Sequence, residues 1–448
     1  MLDLRQYQIR GTTAREIAAS VEAAIREDLL GAGAKLPTVR ALASRLGASP
    51  GTVSSAYRIL GQRGLVVSEG RRGTHVAPRP AVRAPGHPLR SAAPPPGIRD
   101  LAVGFPDPDL LPDVEAALGG IDVQSKLELG WLEGADPKLL ELAARSYVAD
   151  GLPGDSIAVV GGAFDGVERV LEAHLRPGDQ VIVEDPTYPS IRDILLALGL
   201  VAVPVPVDGF GLVPEAFEAR LRQGVDAAVI VPRAQNPLGA AMDRERMKTL
   251  QRLLERHPKV LLVEDDHAGP ISGAPFSTLV TPASRHWAVI RSTSKTLHPD
   301  LRLALMAGDE TTVARVEGRQ ALGPRWVSHL LQAIVAETLA DPAFAETTAA
   351  AREIYASRRE ALLGALAQRG VPAHGRSGLN VWVPVREETP VIAALLDAGW
   401  QVMAGERFRI HSAPGIRVTV ATLPEEDADA VAQAIAAAEH AGSPRRLY

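Results

Sequence analysis

The sequence predicts an α/β protein with a small, separate helical module at its N-terminus. Two observations carry this. From Asp100 onward, apolar strand-like runs alternate with helical stretches, the pattern of a mostly parallel sheet flanked by helices. Before it, APRPAVRAPGHPLRSAAPPPGIRD (77–100) holds seven prolines, four arginines and no acidic residue ahead of Asp100. A proline-rich run without apolar period is a semi-rigid spacer. The chain of 448 residues is long enough for more than one domain. Domains are therefore expected at 1–78 and 100–448, with 79–99 as linker.

Composition narrows the function classes. The chain has no cysteine, which excludes disulfides, thiolate metal sites and thiol catalysis. Its eleven histidines show no HExxH-like spacing, so no metal is expected. No apolar run reaches the length of a bilayer span and no leader-like segment opens the chain, so a cytoplasmic protein without membrane contact is expected. Charge is unevenly spread. Lys35 to Pro80 carries eight basic residues against Glu69 alone, a net of +7, which leaves −12 for the rest of a chain whose total is −5. A basic module on an acidic body suggests a polyanion partner at one end.

In the N-terminal module, TAREIAASVEAAIREDLL places Ile17, Val21, Ile25 and Leu29 on one helical stripe, and GAGAK breaks it. LPTVRALASRLG predicts a second helix, with Pro37 at its start and Gly47 stopping it. Ser49 is a good N-cap and Pro50 a good first residue for a third helix, SPGTVSSAYRILGQRG. Leu65-Val66-Val67 and Thr74-His75-Val76 bracket SEGRRG as a hairpin with two arginines at its tip. Helix, helix, turn, helix, basic hairpin is the order of a winged helix-turn-helix.

The stretch KLPTVRALASRLGASPGTVSSAYRILGQRGLVVSEGRRGTHV resembles the DNA-binding domain of the GntR family over essentially its full length. That resemblance implies a double-stranded DNA operator as partner, with the third helix in the major groove. Arg40, Ser49, Thr52, Tyr57 and Arg58 would face phosphates or base edges, and Arg71 and Arg72 the backbone or minor groove. Tyr57 fits a core aromatic equally well, and Arg71 and Arg72 a solvated turn. Pro50 and Ser54 stand where many relatives carry base-reading arginines.

In the body, strands are expected at SIAVVGG, QVIVED, VAVPVPV, AAVIVPR, KVLLVED and HWAVIRS, with helices at GAFDGVERVLEAHL and RERMKTLQRLLERH. Ligands of such sheets gather at the carboxyl ends of the strands. Five features lie there: GGAF (161–164) opening a helix, EDPTYP with Tyr188, AQNPLG with Asn236, EDDH with Asp265 and Asp266, and STSK with Lys295, followed by Arg302. Singly, Asp265 suits a turn cap, Arg302 or Arg417 a surface ion pair, and Tyr188 a core position. Together, a lysine, a carboxylate, an amide and an arginine at successive strand ends fit pyridoxal 5′-phosphate. Its aldehyde needs an amine, its pyridine nitrogen a carboxylate, and its phosphate hydroxyls, an arginine and a helix N-terminus.

Residues 100 to 445 resemble the fold-type I aminotransferases in these motifs. Carried over by position, the resemblance implies that Lys295 forms the Schiff base and is the catalytic residue of any chemistry retained. Asp265 would pair with the pyridine nitrogen, Asn236 and His267 would face the ring oxygen, and Tyr188 would stack on the ring. Ser292, Arg302 and the backbone of Ala163 and Phe164 would hold the phosphate, and Arg417 in GIRVTVATL a substrate carboxylate. His267 and Trp131 depart from the pattern, each standing where relatives usually carry tyrosine.

A GntR-type winged helix, a proline-rich linker and an aminotransferase-like body together resemble the MocR subfamily of bacterial regulators. NPLG, EDDH, HWAVIRSTSKTLHPDLRLA and RWVSHLLQ are most similar to a branch tied to vitamin B6 salvage. The resemblance implies a homodimer that binds DNA and senses a small molecule, the cofactor itself or an amine. The competing expectation is an active aminotransferase with an auxiliary N-terminus.

Overall fold

The computed structural model describes residues 9–27, 29–62, 64–68, 73–77, 94–129 and 134–441. The chain divides into two compact units, taken here in turn. In the N-terminal module, α1 (Ala14–Arg26) is opened by a capping box in which Glu16 N–H donates to Thr13 Oγ1 and Thr13 N–H to Glu16 Oε2. Ile17, Val21 and Ile25 are buried along it, but Leu29 is exposed. The helix ends at Arg26, before the stripe reaches Leu29, and Leu30 takes the core position instead. α2 (Val39–Leu46) starts two residues later than expected, at Val39 rather than Pro37 with Thr38 as its cap, and Gly47 in the left-handed conformation ends it. α3 (Pro50–Gln62) has Ser49 as cap, accepting from Thr52 N–H at 3.0 Å. β1 (Val66–Ser68) and β2 (Thr74–Val76) form the antiparallel hairpin, and Lys35 bridges to His75 beside it. Ile17, Val21, Leu42, Val53, Leu60, Val66 and Val76 close one core.

The body is built on an eight-stranded sheet. Its short lead-in β3 (Arg99–Asp100) pairs with a later strand, so Arg99, expected at the end of the linker, already belongs to the body. The sheet strands are β4 (Ile157–Val160), β5 (Gln180–Asp185), β6 (Val201–Asp208), β7 (Gly211–Leu212), β8 (Ala227–Ile230), β9 (Leu261–Asp266), β10 (Trp287–Ser292) and β11 (Ala304–Gly308). Their order is β4-β11-β10-β9-β8-β5-β6-β7. β5, β8, β9 and β10 run parallel, and β11 is antiparallel to both its neighbours. Every expected strand is present. β11 was not anticipated, because LRLALMAG follows the lysine turn without a helical spacer. Buried runs such as VIVED and LLVEDD show why these strands read as continuous apolar stretches, since helices cover both faces of a parallel sheet.

Past the long helix Pro342–Gln368, a smaller sheet forms from β12 (Asn380–Pro384), β14 (Met403–Ala404) and β15 (Gly415–Thr419), while β13 (Trp400–Gln401) pairs with β3. Leu362, Val381, Val383, Val391, Ile416, Val418 and Ile435 fill its own core.

Leu60 is fully buried where α3 meets the module's other elements. Leu60→Ala is expected to cost about 2–5 kcal/mol, a large share of what a module this small can hold. Hydrogen exchange on the full chain should show amides in α1, α2 and α3 losing protection, while those of β8 to β10 keep theirs.

Candidate functional site

Parallel register brings the site together. On β9 and β10, Asp265 lies opposite Ile290 and Asp266 opposite Arg291, so the chain leaves both strands at the same edge. The turns that follow carry His267 and Lys295. β8 ends at Ile230, opposite Glu264, and its outgoing loop carries Asn236; β5 ends at Asp185, and Tyr188 follows three residues later.

Lys295 Nζ donates to the Gly104 carbonyl and sits 4.9 Å from the centre of the Phe105 ring. Burial lowers its pKa to about 8, the cations Arg417 and Arg302 push the same way, and Asp265 opposes them. Asp265 is 4 % exposed, and its Oδ1 has no hydrogen-bond partner among the described residues. Its other oxygen lies 3.7 Å from His267 Nδ1. A buried carboxylate oxygen without a donor carries a desolvation cost, and a cationic N–H delivered by a ligand would offset it.

Arg417, on β15, is buried too. Its Nη1 donates to Asn236 Oδ1 at 3.1 Å, its Nη2 donates to the Ala102 carbonyl, and its Nε is buried without a partner among the described residues. Burial brings its pKa down to about 10, so it stays cationic at neutral pH. The Phe408 ring lies 5.0 Å beneath the guanidinium.

Tyr188 and Phe164 stack in parallel, 5.5 Å apart and 4° from coplanar, and Phe408 tilts against Tyr188. Burial raises the Tyr188 pKa. Ala163 and Phe164 open the helix Ala163–His174, directly after Gly162, whose backbone lies beside the Arg302 guanidinium. Ser292 ends β10, its hydroxyl bonded to that of Ser294 at 2.8 Å. The structure thus brings Lys295, Asp265, Asn236 and Arg417 into one group, with His267 beside Asp265. Tyr188 with Phe164, and Gly162 with Arg302, form contacts of their own.

Several supporting residues escaped the sequence reading. Asp185 accepts from Ile410 N–H (2.9 Å), His411 N–H (2.7 Å), Ser412 N–H (3.0 Å) and the Ser412 hydroxyl (2.8 Å), fixing a loop far away in the chain. Gln235, fully buried, donates to Glu184 Oε2 and to the Pro186 carbonyl. Asp266 takes both prongs of Arg233 at 2.7 and 2.8 Å, and Arg291 Nε at 3.3 Å. The Phe276 ring lies near both guanidinia, at 5.2 and 4.8 Å. The signal available was the pairing of acidic residues with arginines at the ends of adjacent strands. Ala234 holds a left-handed φ of +52°, its N–H donating to Ser377 Oγ; Gly378 must be glycine, because a Cβ there would lie 2.5 Å from the Ala234 methyl.

In the N-terminal module Arg40 and Arg58 are exposed, the latter bonded to Ser55 Oγ at 2.8 Å. Ser49 and Thr52 sit at the N-terminus of α3, their hydroxyls 2.9 Å apart. Tyr57 takes the core position: its ring is buried and its hydroxyl donates to the Pro37 carbonyl at 2.7 Å, tying α3 to the approach of α2. Burial raises its pKa far above the usual value. Arg71, Arg72 and Trp131 lie outside the described residues.

Fold and site define an aminotransferase-type body with a DNA-binding module ahead of it, and the comparisons agree. Residues 135–435 match the family model for aminotransferase class I and II, and residues 13–76 that for bacterial regulatory proteins of the gntR family. The chain is 39 % identical over 428 residues to the vitamin B6 salvage pathway transcriptional repressor PtsJ of Salmonella typhimurium, covering 95 % of this chain and 98 % of that one. It is 28 % identical to the pyridoxine biosynthesis regulator PdxR of Corynebacterium glutamicum, over 77 % of this chain and 76 % of that one. Among solved structures, kynurenine aminotransferase from Pyrococcus horikoshii superposes with a TM-score of 0.70 at 22 % identity, covering 77 % of this chain and 91 % of that chain. The α-aminoadipate aminotransferase LysN of Thermus thermophilus gives 0.67 at 21 %, over 77 % and 93 %. This chain belongs to the MocR subfamily of GntR regulators, which join a GntR-type winged helix to an aminotransferase class I and II domain.

The lowered pKa of Lys295 carries a stability cost. Its folded value, about 8, lies below the unfolded 10.5. The penalty is therefore fully present below pH 8 and fades as pH rises towards 10.5. Without bound ligand, Lys295→Met should gain roughly 1–2 kcal/mol at pH 7, after discounting for solvent screening. Paired urea melts at pH 7 and pH 10 check this; the gain should shrink at the higher pH.

Proposed function

We propose that this protein is a DNA-binding transcription regulator whose body holds pyridoxal 5′-phosphate and reports its occupancy, alone or with an amine ligand, to control vitamin B6 metabolism. The observation that carries the reading is the buried, unpartnered Oδ1 of Asp265 beside Lys295. An orphaned carboxylate oxygen and a lysine of lowered pKa at adjacent strand ends suit one planar ligand with a basic ring nitrogen at one side and an aldehyde at the other. When bound, the cofactor supplies an aldehyde for amine capture and an electron-accepting ring.

The chain's own residues then divide the work. Asp265 would hold the proton at the pyridine nitrogen. The Asn236 amide, its oxygen turned to Arg417, has its nitrogen left for the ring oxygen, and the His267 imidazole would serve the same atom. Tyr188, backed by Phe164, would cover the ring face. Ser292, Arg302 and the first N–H groups of the helix Ala163–His174 would take the phosphate. Arg417 would clamp the carboxylate of an amino acid, should the effector be one.

At the other end, Arg40, Ser49, Thr52 and Arg58, with Arg71 and Arg72, would contact the operator, and a homodimer would meet two half-sites. The names of the Salmonella typhimurium and Corynebacterium glutamicum relatives support vitamin B6 control as the regulated process. A cytoplasmic location fits a DNA-binding role.

The test is a gel shift on the protein's own upstream region, titrated with pyridoxal phosphate and with amines. A coupling of about 1–3 kcal/mol predicts a change in DNA affinity of roughly 5- to 150-fold. Lys295→Ala should remove that response. Arg58→Ala should weaken DNA binding across sequences and reduce the salt slope by about one. DNA affinity indifferent to the cofactor, with amino-acid turnover by the same preparation, would instead identify an enzyme with an auxiliary N-terminus.

A further inference from the structure

The two cations of the site are held by a segment that enters the body directly from the linker. Residues 101–107 are anchored at both ends. Upstream, Leu101 N–H donates to the Gln401 carbonyl, the Leu101 carbonyl accepts from Thr419 N–H, and Asp100 Oδ1 accepts from the N–H groups of Ala102 (2.8 Å) and Val103 (3.1 Å). Downstream, Asp107 N–H donates to the Tyr355 hydroxyl at 3.0 Å, and its carboxylate accepts from Arg358 at 2.8 Å. Between the anchors, the Ala102 carbonyl accepts from Arg417 and the Gly104 carbonyl from Lys295, while the Phe105 ring lies against the ammonium. The Gly104 backbone also stands close to Arg417: a Cβ built there would lie 3.5 Å from both terminal nitrogens.

These contacts use the same hydrogens that recognition of a ligand needs. A carboxylate taken in the usual forked manner requires two N–H groups of one guanidinium, and one terminal nitrogen of Arg417 is committed to Ala102. A lysine nitrogen condensed with an aldehyde loses water and keeps at most one hydrogen, so it is no longer an ammonium with three donors. Binding and the strap's contacts therefore compete for the same groups.

We propose that residues 102–106 form an internal strap whose carbonyls stand in for a ligand on Lys295 and Arg417, and which is displaced when a carbonyl compound takes Lys295. The inference rests on the cofactor reading above and names how its occupancy is relayed. The strap continues β3 and, in the sequence, the linker, which places it next to the stretch of chain that leads to the DNA-binding module.

The chain has no cysteine, so Phe105→Cys places a single reporter thiol on the strap at a residue that is 39 % exposed. Val148→Cys, on the helix Pro137–Ala149, is the reference. Reaction of each full-length variant with a chromogenic disulfide is timed with and without pyridoxal phosphate, and binding is followed separately by the cofactor's absorbance. The strap thiol of Phe105→Cys should react at least three-fold faster on binding, with the rate of the Val148→Cys reference unchanged. Adding Lys295→Ala should raise the strap-thiol rate without cofactor and abolish the response to it. If the absorbance reports binding while the strap-thiol rate stays constant or falls, the strap is overturned and the cofactor reading stands. If no binding is seen, the cofactor reading itself fails; in that case a strap-thiol rate unaffected by Lys295→Ala overturns the strap as well, and an increased one retains the contact it rests on.

Discussion

The desolvation of Lys295 is the constraint on which the site depends. An ammonium placed at the end of a core strand, with Arg417 and Arg302 acting on it, is pushed towards its neutral form, and a neutral amine is the nucleophile that carbonyl capture requires. The surrounding fold has to tolerate that cost. It does so through rigidity, because β8, β9 and β10 lie in the sheet's buried interior, where repacking around the lysine has no room.

The same strand edge handles its carboxylates in three ways. Asp266 is bracketed by Arg233 and Arg291, and those charge-assisted hydrogen bonds hold its pKa down in spite of burial. Among the described residues no arginine lies at hydrogen-bond distance from Glu184 or Glu264, and burial pushes them up to about 8 and about 7 respectively. Asp265 is the one of this group with a buried oxygen left unpaired. Three neighbours have their needs met within the chain; the fourth, on the proposed reading, would meet its own through a ligand. Such unevenness at one edge is how a fold marks a binding position among structural ones.

The N-terminal module has the smaller core. Its core draws on three helices and a short hairpin, and Tyr57 spends its hydroxyl on the Pro37 carbonyl to hold α2 and α3 together. The exposed Arg40 and Arg58 lie on the two helices that this bond ties, so their spacing is set by packing before any DNA is met. Positioning by backbone-contacting residues fixes register, and sequence is then read by whatever reaches the base edges.

By itself the sequence determined the two-part architecture, the strands β4, β5, β6, β8, β9 and β10, and the residue types at their ends. These follow from local signals: the length and content of apolar runs, prolines, caps and short motifs. It grouped Lys295, Asp265 and Asn236 with Arg302, because parallel strands deliver their outgoing loops to a common edge, whereas Arg417, on β15 of the smaller sheet, was suggested only by the family resemblance. It overran α1 by one turn at Leu29 and left Tyr57 open between core and surface, since a periodic stripe does not say where packing stops. Tertiary structure alone decided the rest. The Arg233–Asp266–Arg291 cluster, the grip of Asp185 on residues 410–412, and the Ala102 and Gly104 carbonyls on Arg417 and Lys295 join residues from 25 to 315 positions apart. Nothing local encodes such pairings. They exist because burial removes water as the alternative partner, leaving each polar group to find its complement in whatever part of the chain the fold has brought beside it.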